Sequence, residues 1–93
     1  MNLDFSKFSS EEIDHFYTVV SKNIRKHREA KNIKQLDLAL DIDIKSVAFF
    51  SNCETGKYNK HFNLEHLYKI SKVLNVDIKD FFDGIETSTP QNQ

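Results

Sequence analysis

The sequence predicts an all-α fold of five helices with an extended first helix. Three observations carry that expectation. Helix-start signals, each a Ser, Asn or Asp ahead of an apolar run, recur at Ser9, Ser46, Asn63 and Asp77. Two Gly and one Pro in 93 residues leave little room for the turns of a β-sandwich. The one stretch that alternates like a strand has no obvious partner strand, and a lone strand is not a stable solution.

Residues 1–8 read as a lead-in, with Phe5 and Phe8 able to dock. Ser9 and Glu12 have capping-box spacing. Ile13, Phe16, Tyr17, Val20 and Ile24 follow at helical intervals, and Arg25, Lys26, Arg28 and Lys31 suit the negative end of a helix dipole. Asn32 favours the left-handed stop, so the first helix is expected over 10–31, with a break at 21–23 left open by its length.

Over 33–44, Leu36, Leu38, Leu40, Ile42 and Ile44 alternate with Asp37, Ala39, Asp41 and Asp43. Leu and Ala content and the lack of a partner strand favour a second helix, 35–42. A third is expected over 46–54 with Ser46 as cap, then a loop over 55–63. Asn63 caps a fourth helix, 64–74, stopped by Asn75. Asp77 caps a fifth, 78–83, ahead of Gly84. Residues 85–93 read as a disordered tail.

Composition narrows the function classes. No apolar run approaches the roughly 20 residues a membrane span needs. Met1 is followed by acidic and polar residues rather than a signal-peptide pattern. A single cysteine, Cys53, cannot form an internal disulfide, so a cytoplasmic setting is the expectation. The formal charge of −1 conceals a gradient. Residues 22–60 carry nine basic and five acidic side chains, whereas both flanks are net acidic. That middle segment is the candidate polyanion surface. His15, His27, His61 and His66 are scattered, and Cys53 with His61 and His66 lacks a fourth ligand for zinc. No phosphate loop or nucleophile motif occurs, so neither an enzyme nor a cofactor is implied.

Two short helices joined by a tight turn suggest a helix-turn-helix. The segment Ile24 to Phe82 resembles the phage repressor and Cro-like (XRE-type) helix-turn-helix family. The matching pieces are IRKHREAKNIKQ (24–35), Leu38-Ala39, Glu54-x-Gly56, LEHLYKISKVLNV (64–76) and DIKDFF (77–82). The order and spacing of the pieces carry the resemblance. It implies a five-helix, lambda-repressor-like DNA-binding domain, set here over 9–84.

The resemblance also assigns roles. Gln35 falls where the family grips a phosphate and braces the recognition helix. Arg28 and Glu54 fall where a charge pair joins the first helix to the end of that helix. Lys57, Tyr58, Asn59 and Lys60 fall in the loop that follows the DNA backbone. This chain departs from the pattern in two ways. Asp43 stands where the turn usually has Gly, and the Leu38-to-Glu54 interval is one residue longer. Anchoring on Glu54 buries Phe50 and turns Val47, Ala48, Ser51 and Asn52 to the groove, with Ser46 as cap. Anchoring on Gln35 buries Phe49 and turns Lys45, Ser46, Phe50 and Ser51 outward. The first is preferred, because an extra residue fits more easily in a turn.

The function expected is a sequence-specific double-stranded DNA-binding regulator acting as a homodimer. Phe5, Phe8, Phe16, Ile78 and Phe82 are the candidates for the dimer surface. The alternative is an antitoxin-like or adaptor module that binds protein and keeps the helix-turn-helix as scaffold.

Overall fold

The computed structural model describes residues 7–85. Those residues form four α-helices: α1 (Ser10–Ala30), α2 (Gln35–Asp41), α3 (Val47–Thr55) and α4 (Leu64–Leu74). Two 3₁₀ turns complete them, Lys57–Asn59 and Ile78–Phe82. Phe5 and residues 86–93 lie outside the described part.

Local chemistry accounts for the helix starts. Ser9 Oγ accepts from Glu12 N at 3.0 Å while the Glu12 carboxylate accepts from Ser9 N, a reciprocal capping box. Asn63 and His66 make the same exchange at the start of α4, with His66 Nδ1 as the returning acceptor. Ser46 Oγ accepts from Phe49 N at 3.1 Å at the start of α3.

Three helices stop in the same way without glycine. Asn32, Asp43 and Asn75 take left-handed φ values of 60°, 67° and 55°. The next residue's N–H then returns to the preceding turn: Ile33 to Arg28 O, Ile44 to Ala39 O and Val76 to Ser71 O. These 6→1 bonds satisfy carbonyls that would otherwise be orphaned. Short polar side chains tolerate this conformation at modest cost.

The core is the convergence of apolar faces. Ile24 from α1, Leu38 from α2 and Ile42 at its cap, Phe50 and Cys53 from α3, and Ile70 and Leu74 from α4 are all fully buried. Phe81 closes the far side, its carbonyl and that of Asp83 accepting from Asn23 Nδ2 at 2.9 Å each. Ser21 Oγ donates to Cys53 O at 3.0 Å, tying α1 to α3.

Several sequence expectations are corrected. α1 runs unbroken over 21 residues and ends at Ala30, with Lys31 as its cap. The last element is a 3₁₀ turn, not an α-helix, and it ends at Phe82. Asp77 accepts from Lys79 N, which closes a turn too short for α-helical bonding to propagate. Ile85, read as the first residue of the tail, packs against the core. Lys57–Asn59 is a 3₁₀ turn inside the expected loop.

Candidate nucleic-acid interface

The residues that place α3 sit at its carboxyl end. Glu54 is 3% exposed and Arg28 is 7% exposed. Arg28 Nε donates to Glu54 Oε2 at 2.7 Å and Nη2 donates to Oε1 at 3.0 Å, a two-pronged pair. The remaining prong, Nη1, donates to Ile33 O at 2.7 Å. Gln35 Nε2 adds a third donor to Glu54 Oε1, also at 2.7 Å. One carboxylate therefore joins α1, the first residue of α2 and the end of α3. A charge removed from water needs this saturation, because attraction alone does not offset the desolvation cost.

The opposite end of α3 is set by the turn. The structure adopts the register in which Phe50 is buried, with Phe49 half-buried against the core. Residues 42–46 form the turn between α2 and α3. Asp43 takes the left-handed position there, and Lys69 Nζ on α4 donates to its carboxylate at 3.3 Å. Lys69 also binds Glu65 at 2.8 Å, which holds Glu65 below the usual carboxylate range and raises Lys69 above its own.

With the inner face of α3 committed, Val47 and Ala48 stand outward and exposed. Ser51 and Asn52 are half-buried rather than open, a correction to the expected groove face. The cause is the helical wheel. Phe50, Cys53 and Glu54 define the inward direction, and Ser51 and Asn52 lie on its flanks. The Ser46 hydroxyl is engaged in its cap, and the Gln35 amide nitrogen is engaged with Glu54.

The loop after α3 is built on left-handed backbone. Gly56 (φ 75°), Tyr58 (φ 57°) and Asn59 (φ 57°) all adopt it. For Tyr58 this is a strained choice, and the residue is 70% exposed, with the Lys57 ammonium 5.2 Å from its ring centroid. Lys57, Tyr58, Asn59 and Lys60 all project into solvent.

Sequence reasoning missed two exposed cations beside these elements, Lys34 at the cap of α2 and, in the preferred register, Lys45 ahead of α3. Their position next to the two helix starts was the available signal. It also missed a cleft of about 410 Å³ between α1 and the 55–61 segment. Tyr17 and His61 stack there, 3.6 Å between ring centroids and 9° from parallel. Its charges are mixed, Asp14 and Glu54 against Lys22 and Arg25, and Arg25 is paired with Glu29 at 3.1 Å. Among the described residues no group of three or more metal-ligating side chains occurs. Cys53 is buried, and burial pushes its thiol up to about 11. No helix of the described residues is long and apolar enough to cross a membrane.

The sequence profile of the Cro/C1-type HTH DNA-binding domain matches residues 23–86. Neither a curated protein nor a solved structure matches the chain. The match takes in the Arg28–Gln35–Glu54 anchor, the α2–turn–α3 unit and the loop after it, while residues 10–22 of α1 precede it. The chain belongs to the Cro/C1-type helix-turn-helix DNA-binding family.

Proposed function

We infer that the chain is a sequence-specific double-stranded DNA-binding transcriptional regulator that acts as a homodimer and uses no cofactor, in the cytoplasm. The observation that carries this reading is the fixed seat of α3. Its carboxyl end is tied to α1 and α2 through Glu54, the turn ahead of it is joined to α4 through Asp43, and its first turn is left facing outward. A recognition helix needs that combination, because base edges are read only if the helix enters the groove at a set angle. Val47 and Ala48 form the exposed part of the reading surface, with Ser46 at its edge and the half-buried Ser51 and Asn52 on its flank. Gln35 and the loop residues Lys57, Tyr58, Asn59 and Lys60 take phosphates.

A homodimer follows from the small reach of one recognition helix, since paired half-sites roughly 34 Å apart multiply specificity. Phe16 stacks on Phe82 within the chain, with 6.5 Å between ring centroids, so part of the apolar surplus is used internally. The exposed side chains Phe8, Ile13 and Phe16 are the dimer candidate, while Ile78 is half-buried against the core.

The protein-binding alternative keeps one observation in its favour, the exposed apolar side chains Leu36, Leu40 and Val47 around the motif. Selection from a random duplex pool separates the two readings. Enrichment of one sequence, with affinity falling steeply as salt rises, supports the regulator. Failure to enrich any duplex at low salt overturns it.

A further inference from the structure

The first turn of α3 restricts which bases this protein can prefer. We propose that Val47 and Ala48 read the 5-methyl groups of thymines, so that the bound half-site carries thymine where α3 enters the major groove. This deepens the proposed function and rests on it.

The argument starts from what α3 lacks. Residues 47–55 contain no Arg, Lys or Gln, the side chains with the strongest donor patterns for guanine and adenine. Its one charged residue, Glu54, is buried and saturated by Arg28 and Gln35. Its hydroxyl at Thr55 is turned onto Ser51 O at 2.9 Å. Ser51 and Asn52 are half-buried. The groups offered outright at the amino end of α3 are apolar, the isopropyl of Val47 at 40% exposure and the methyl of exposed Ala48. The Ser46 cap and the left-handed Asp43 turn hold that end in place.

Only one base presents an apolar group on the major-groove edge of a pair, and that is thymine, through its C5-methyl. Cytosine carries hydrogen at the same carbon. A surface of aliphatic carbon with no donor of its own gains by covering a methyl group. Against the polar edges of a G·C pair it would desolvate donors and acceptors without replacing their hydrogen bonds.

The test uses the full chain and the duplex selected from a random pool. Each thymine is replaced in turn by deoxyuracil, which removes the methyl and leaves base pairing intact. Loss of one covered methyl is expected to weaken binding by about fourfold at one or two positions in each half-site. In Val47→Ser, one of those positions becomes indifferent to the methyl while the salt dependence is unchanged. If every deoxyuracil substitution changes affinity by less than about twofold while the duplex is still preferred over scrambled sequence, this inference is overturned and the regulator reading stands. If no duplex is enriched at all, both are overturned, and the apolar turn of α3 is assigned to a protein partner.

Discussion

Glu54→Ala is the perturbation on which the anchor argument depends most directly. The side chain of Glu54 is 0% exposed, and it accepts three hydrogen bonds from two partners. Truncation removes all three and leaves the Arg28 guanidinium, 8% exposed in its side chain, with Ile33 O at 2.7 Å and the more exposed Glu29 carboxylate at 3.9 Å as its remaining partners. Breaking a buried pair by deleting one partner costs about 3–5 kcal/mol, because the other charge stays in a poor solvent. A domain of this size has a total stability of about 5–15 kcal/mol, so the loss is a large fraction of the whole. Urea unfolding followed by helical circular dichroism reads it. With a slope of about 1–1.5 kcal/mol/M, the midpoint should fall by about 2–5 M. Adding Arg28→Ala to Glu54→Ala removes the stranded cation, so the double variant should cost less than the sum of the two singles. A midpoint shift below about 0.5 M for Glu54→Ala, the size of an exposed ion pair, would refute the reasoning.

Other expectations follow from the same structure. Replacing Lys57 and Lys60 by Ala should weaken binding to every duplex alike and reduce the slope of log affinity on log salt by about 0.9 per lost phosphate contact; a changed sequence preference at an unchanged slope counts against backbone contacts. Asp43→Ala puts a Cβ with no polar group at φ 67° and should cost about 1–2 kcal/mol, with Asp43→Gly costing less, as measured by thermal unfolding. Equal losses in the two variants would place the cost in the Lys69 contact instead. His66 stands between Phe49 and Phe62, and burial holds its imidazole below the ordinary 6.5. Its folded value is depressed, so the unfolded chain takes up the proton first. The stability it contributes is complete above 6.5 and is lost as pH falls through the folded value. A nuclear magnetic resonance titration should find His66 below free imidazole, and His66→Gln should flatten that part of the pH profile. A titration at or above 6.5 sinks the assignment.

Much of the fold is legible in the chain because it rests on neighbours in sequence. The caps at Ser9, Ser46 and Asn63 act across three residues, and the stops at Asn32, Asp43 and Asn75 act within one turn. Apolar spacing on α4 marks the face that is buried, since Leu67, Ile70 and Leu74 can be placed inward only together. The candidate site is legible to a smaller degree. The Arg28, Gln35 and Glu54 positions were assigned through a resemblance, and no period or propensity links residues 19 and 26 apart.

What the sequence determined by itself, then, is where helices begin and end and which side of each is apolar. Those outcomes depend on interactions within three or four residues, whose energies scarcely change with the rest of the fold. Tertiary structure fixed the choice between Phe49 and Phe50, where the sequence only favoured Phe50, and alone decided the half-burial of Ser51 and Asn52, the tightening of 78–82 into a 3₁₀ turn under α1, and the capture of Asp43 by Lys69. Each of these depends on what a different helix places opposite. Near the α3 register, both phenylalanines have the same propensity and the same hydrophobic gain from burial. Only the packing of the Phe50 ring against Phe62 in the buried core, and the fixed position of Glu54 against Arg28, distinguishes them.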